Sequence, residues 1–375
     1  MLASPFIGMS TAPVLIPSPR LMSLDAFRGA TIAAMLLVNN AGDWNHVYPP
    51  LLHAKWHGWT PTDLVFPFFL WIVGVSMTFS FARRMARGDR RGDILLHVLR
   101  RSALIFAVGL FLNAFPAFDF EHLRIPGVLQ RIALCYLAAG AIVLYMDIKG
   151  QIGAAIALLA SYWALMTLVP VPGYGAGVLE PEGNFAQWVD RLFLEGHMYA
   201  ATRTWDPEGI VSTLPAIATT LFGVFAGHLL RSDLRVAEKS AWLFTGGGVL
   251  LLAGLMLDPL LPINKNLWTS TYSMFTAGMA ALLFSGCYWL IDGNGFKRFA
   301  RPFVIYGLNP IVIYTLSGIV GDLLSVTGIG KALYRNVFLS IASPVNASLL
   351  YALAHVGFFF LVAWLLYRRN WIIRL

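Results

Sequence analysis

Charge is what this sequence has least of. Only 12% of its 375 residues are Asp, Glu, Lys or Arg, against 58% apolar, and mean hydropathy is +0.67. Soluble proteins carry roughly 25% charged residues, so this chain has too little polar surface to cover a water-soluble fold of its size. Cysteine is scarcer still. Cys135 and Cys287 both fall in apolar stretches, which excludes a disulfide framework and points to packing roles. The first twenty residues contain Pro and Ser but no apolar run of the length a secretory leader needs. They read as a disordered tail ahead of a single domain at 21–375. Low-complexity tracts and inverted repeats between the two halves are also absent.

What is present instead is a succession of apolar stretches close to the ~20 residues that cross a bilayer core. Ten fall at 24–41, 62–82, 98–115, 126–146, 152–170, 210–230, 240–257, 268–290, 301–321 and 347–367. The fold class expected is therefore all-α, a polytopic membrane bundle of about ten transmembrane helices. A shorter apolar piece at 332–343 reads as re-entrant or interfacial, or as an eleventh span, and 184–199 as an amphipathic surface helix. The frequent Gly (34) and Pro (20) fit this class, since membrane helices carry more of both than soluble ones.

The net charge of +8 would suit nucleic acid, but the basic residues sit in short loops between apolar segments, where orientation signals sit. The partner they imply is a lipid bilayer. The segment from Ala82 to Arg101 alone holds seven arginines. With that loop placed in the cytoplasm, 18 of the 27 basic residues lie inside and both termini are cytoplasmic. Most acidic residues then fall outside, with His46, His53, His57, His122 and His197. Groups able to do chemistry concentrate on the outer face.

The densest concentration is the first outer loop, Asn39 to Phe69, with three histidines, two aspartates, three asparagines and three tryptophans. Histidine is the side chain best suited to proton transfer near neutral pH. His53 and His57 are spaced i, i+4, which a helical turn would place on one face. That spacing also suits zinc, but no Cys or Glu accompanies the pair, so no metal site is expected. An interfacial aromatic belt is the plainer reading of Trp56, Trp59 and the histidines. Polar residues inside spans are costly and usually functional. They are Asp25 and Arg28 at the inner end of span one, Gln130 and Arg131 in span four, Asn309 before Pro310 in span nine, and His355. Helix-end pairing, glue between helices and a satisfied bundle histidine are their plain alternatives. Two outer strings, TWDPEG with Asp206 and Glu208 and PINKNLW with Lys265 and Asn266, offer carboxylates, amides and a cation. Such groups suit a polyhydroxylated, cationic ligand, or simple helix capping.

In order along the chain, SLDAFRG, LVNNAGDW, LLHAKWHGWTPTDLVFPFFLWIVG, RIPGVLQRIAL, DPEGIVSTLPAIATT, PINKNLW and YGLNPI resemble the heparan-α-glucosaminide N-acetyltransferase family, in particular its bacterial members. The resemblance runs from residue 20 to about 370. It implies transfer of acetyl from cytoplasmic acetyl-CoA to an amino sugar, or a glycan with a free amine, across a bacterial inner membrane. By this resemblance His53, opening HAKWHG, is the catalytic histidine, and Asn39, in LLVNN, the active-site asparagine. His57 stands where the lysosomal enzyme has asparagine. Substrate contacts are expected from Asp63, Gln130, Arg131, Asp206, Glu208, Lys265, Asn266 and Asn309, and donor contacts from Asp25 and Arg28. A homodimer is compatible with this reading. His53 then acts either as base in a ternary complex or as acetyl carrier. Two other functions fit the same residues: a secondary transporter for a sugar or small solute, and an O-acyltransferase acting on an envelope polymer.

Overall fold

The computed structural model describes residues 21–373, so the expected tail at 1–20 lies outside them. Among the described residues there are thirteen α-helices and no strand. They are α1 (Met22–Asn39), α2 (Val65–Ala86), α3 (Arg91–Ala114), α4 (Val128–Tyr145), α5 (Ile148–Leu168), α6 (Phe185–Leu194), α7 (Thr213–Leu230), α8 (Val236–Leu257), α9 (Ser270–Tyr288), α10 (Lys297–Gly307), α11 (Pro310–Val326), α12 (Ile329–Leu333) and α13 (Pro344–Arg368). Every stretch expected to span a membrane falls on helix. Against the ten spans expected, eight helices, α2 to α5, α7 to α9 and α13, are long and apolar enough to cross a membrane, and α10 with α11 make a ninth crossing if taken together; α1, on the first expected span, is not among them.

Two expectations change. The stretch 301–321 is not one rod: α10 and α11 meet at 62°. Pro310 opens α11 at its first position. Its ring clashes with the preceding turn and it has no N–H to give, so the helix restarts there in a new direction. The piece at 332–343 is not an eleventh span, and the re-entrant or interfacial alternatives stay open. It is covered by the end of α12 and a π-helical turn, Tyr334–Phe338, that join α11 to α13. The amphipathic segment is helical as α6, capped by Asn184, whose side chain accepts from Gln187 N at 2.8 Å.

Local chemistry sets the other boundaries. Asp147 caps α5 by accepting from Gly150 N, and Thr269 caps α9 by accepting from Tyr272 N. Burial sorts the helices. α2, α7 and α9 carry the main core, with Leu70, Trp71, Val75, Leu221, Val224, Tyr272 and Phe284 buried. α3, α5, α8 and α13 leave Leu104, Phe111, Ile156, Val249, Leu252, Phe358 and Leu361 exposed. Helices apolar on all sides are what a bilayer demands. α1 carries Asp25 and Arg28 in its first two turns and lies inside, against α2, α9, α10, α11 and α13.

Without a hydrophobic drive between helices in lipid, close backbone approach has to hold them. Gly29 on α1 and Gly307 on α10 make one such seam. A Cβ on Gly29 would lie 1.7 Å from Phe303 O, and one on Gly307 would lie 2.0 Å from Asp25 O. Gly74 on α2 and Gly223 on α7 make another, with 2.0 Å to Thr220 O and to Trp71 O.

Gly29→Val should therefore force α1 from α10 and cost about 1–3 kcal/mol, the usual range for overpacking. Thermal unfolding of detergent-purified protein would show it. Gly246→Val, on α8 where an added Cβ meets nothing within 4 Å, should leave the transition in place. Equal effects of the two would refute the seam.

Candidate active site

His53 does not sit on a helix. Residues 52–60 form a loop between two short 3₁₀ turns, Pro49–Leu51 and Pro61–Leu64. His53 and His57 therefore do not share a helical face. The loop is fixed at its far end by T-P-T-D before an apolar run, an N-terminal capping box. Asp63 Oδ2 accepts from Thr60 N at 2.9 Å, Thr60 Oγ1 at 3.1 Å and Ala54 N at 3.1 Å. Its other oxygen, Oδ1, accepts from His53 Nδ1 at 2.6 Å. The Asp63 side chain has no solvent exposure, whereas that of His53 is 44% exposed. Asp63, expected to touch substrate, is instead turned wholly to the loop and to His53. A proton on Nδ1 leaves the lone pair on Nε2.

A second loop closes on the first. Gly58 N donates to Ile263 O at 2.7 Å, Asn264 Nδ2 donates to His57 Nδ1 at 3.3 Å, and the Tyr272 hydroxyl donates to Asp63 O. This brings Lys265 to His53, with Nζ 3.3 Å from Nε2 and 3.4 Å from Nδ1. Burial pushes the Lys265 ammonium below its ordinary pKa, with Asp63 and Glu208 opposing. Asn266 lies beside it, half-buried.

The TWDPEG string meets a partner that sequence reasoning missed. Arg124 donates to both oxygens of Asp206, at 2.8 and 2.6 Å, and pairs with Glu208. Burial works against the Arg124 charge, but the two carboxylates override it and raise its pKa. Asp206 also accepts from Tyr199 N and Glu208 N and has no exposed side-chain surface. It braces the site and has no surface to offer a ligand. Arg131, fully buried, donates to Pro207 O and Gly209 O at 3.0 Å each, and to the Ser212 hydroxyl, with Trp268 stacked 5.1 Å away. Its neighbour Gln130 is buried against Gly109 and Gly127 between α3 and α4. The signal for Arg124 was present: two buried-loop carboxylates require a cation nearby.

Asn39 is exposed at the end of α1 and lines a cavity of about 930 Å³ with Asp43, Tyr314, Asp322, Lys331, Arg335 and His355. His53 is not among the lining residues. Asn309 lies elsewhere: its amide holds the C-terminal backbone, donating to Trp371 O at 2.9 Å and accepting from Ile373 N at 2.8 Å. That is the end of the bundle where Arg28 donates to Asp25, to Gly307 O and to Ser76 Oγ. α1 is about 27 Å long at 1.5 Å per residue, so Asn309 is remote from the His53 end, because Pro310 restarts the helix on the other side.

The family model of the heparan-alpha-glucosaminide N-acetyltransferase catalytic domain matches residues 20–256. Human heparan-alpha-glucosaminide N-acetyltransferase is 29% identical over 350 residues, covering 79% of this chain and 52% of the human protein. The mouse protein is 27% identical over 349 residues, covering 79% and 53%. The chain spans about half the length of the curated relatives it matches.

One group behind the site titrates near neutrality. Asp190 on α6 is buried, and burial raises its carboxyl to about 6 even though it accepts from Ile210 N at 2.9 Å. A carboxyl raised on folding contributes stability at low pH that is lost as pH rises through 6. Asp190→Asn removes that loss. Relative to wild type it should gain about 1 kcal/mol between pH 5 and pH 7.5, read as thermal unfolding at the two pH values. A pH-independent difference would refute the shift.

Proposed function

Because the chain belongs to the heparan-alpha-glucosaminide N-acetyltransferase catalytic family, we propose that it is a transmembrane acyltransferase that moves acetyl from acetyl-CoA to the amine of an amino sugar. The observation that carries this reading is the His53–Asp63 pair, 2.6 Å apart with the carboxylate buried and the His53 side chain 44% exposed. An amine attacks a thioester carbonyl only when unprotonated, so a base is required. Asp63 holds the imidazole in one tautomer and one orientation, as the acid of a catalytic triad does. Nε2 takes the amine proton and passes it to the departing thiolate. Asn39, expected as the oxyanion donor, lines a cavity that His53 does not, so no oxyanion role is assigned to it. Glu208 and Asn266 contact the cationic sugar, and Arg131 supports the loop that carries Glu208.

The His53 end faces away from the cytoplasm on this reading. The arginines at 83–101 and Arg28 lie at the opposite end, where they attract the phosphates of the donor. A secondary transporter would use paired broken helices in corresponding halves. Among the described residues α10–α11 is the one bent pair.

Purified protein given acetyl-CoA and glucosamine should release free thiol and form an amide that survives mild alkali. His53→Ala should lower the rate by at least 10²–10⁴-fold, and Asp63→Asn by about 10³–10⁴-fold through the wrong tautomer. His57→Ala should cost far less. Thiol release unchanged in His53→Ala would end the reading.

Sidedness has its own check. Cysteines introduced at Asp233 and Gly92 should resist membrane-impermeant maleimide in intact cells and react after lysis. Rapid labelling from outside at either position would reverse the orientation.

A further inference from the structure

The reaction proposed above needs a primary amine beside the free nitrogen of His53, and the protein already holds one there. Lys265 Nζ lies against the imidazole, 3.3 Å from Nε2 and 3.4 Å from Nδ1. That is close to the hydrogen-bond reach a general base needs to take a proton from an attacking amine. The placement is built by structure on both sides. Asn264 is locked by its bond to His57, by accepting from Leu267 N at 2.9 Å, and by Thr269 Oγ1, which accepts from Asn264 N at 3.1 Å. Asp63 occupies the other ring nitrogen. Lys55, only two residues from His53 along the chain, is exposed by contrast.

We propose that Lys265 is an internal acetyl acceptor, modified to Nε-acetyl-lysine when acetyl-CoA is present and the sugar is not. This rests on the acetyl-transfer reading of the His53 site. The Nζ–carbonyl bond forms as the carbonyl–sulfur bond breaks. His53 Nε2 takes the proton lost by nitrogen and returns it to the thiolate, so one free thiol appears per amide. If the acetyl group first rests on His53, the bond that breaks is to Nε2 and the products are the same. No oxidant or further reactant is involved.

The groups facing Lys265 set its pH behaviour. They are His53 and Asp63 from the first loop, Glu208 from the loop before α7, and Arg124 and Arg131 from and just before α4. The burial that lowers its pKa increases the fraction of free amine at neutral pH. Acetylation removes the positive charge and places an amide against His53, so the modified protein cannot receive a sugar amine. A bound sugar separates Lys265 from the donor and protects it. The enzyme thus switches off when donor is plentiful and acceptor is missing.

The test uses full-length protein in detergent, incubated with acetyl-CoA alone and analysed by peptide mass spectrometry. Lys265 should gain 42 Da at least tenfold faster than Lys55, accelerating about tenfold per pH unit from 6.5 to 7.5, the trend of a free-amine fraction below its pKa. Glucosamine should suppress the gain, and His53→Ala should bring Lys265 down to the Lys55 rate. If Lys265 reacts no faster than Lys55 while the same preparation acetylates glucosamine, the internal acceptor is refuted and the enzymatic reading stands. If neither is acetylated, both are refuted. If Lys265 is modified in a His53-dependent way and no amino sugar is, the internal acceptor holds and the acceptor class is wrong.

Discussion

The buried carboxylate of Asp63 organises everything around the site. It accepts four hydrogen bonds, two from backbone amides, one from a hydroxyl and one from the His53 ring. A buried carboxylate survives only when its lone pairs are satisfied. The chain therefore has to fold back from Ala54 to Thr60 to supply those donors. The same knot starts α2, and α9 reaches it through the Tyr272 hydroxyl on the Asp63 carbonyl. The orientation of the His53 ring and a helix start are thus one structural event.

Behind this knot the bundle spends most of its few charges on itself. Arg124 bridges Asp206 and Glu208 in one ion-paired cluster, and Arg131 is held by carbonyls and by the face of Trp268. These residues sit where TWDPEG crosses the mouth of α4. Removing one partner would leave a buried charge uncompensated, which is costlier than the pair is stabilising. The cluster fixes the position of the 206–212 loop, and that loop carries Glu208 to within the electrostatic reach of Lys265. Structure and chemistry are linked here through charge balance, since the surrounding helices offer little polar alternative.

Much of the fold was legible because a bilayer imposes simple rules. Span length, all-round apolarity and basic loops follow from hydrocarbon thickness and the cost of unpaired backbone. The ten stretches found on those grounds all fall on helix. Pro310 is visible inside the ninth stretch, but the bend there and its place at the Asp25 end could not be read, since hydropathy carries no depth for a bent pair. His53 stood out by crowding of titratable groups. Its tie to Asp63 was written in the T-P-T-D box, a local signal whose consequence, that the carboxylate is consumed, needs the folded loop.

What the sequence determined alone is what depends on composition and short-range order: an all-helical membrane bundle, its span positions, its family, and the loop richest in chemistry. What only the tertiary structure decided is which groups meet. Lys265 reaches His53 across 212 residues of chain, and Arg124 reaches Asp206 across 82. Asn309 is carried away to the C-terminal strand of backbone instead. Such meetings depend on how glycine seams set the helices side by side, and those seams are read only in three dimensions, because every membrane span here is rich enough in small residues to offer several.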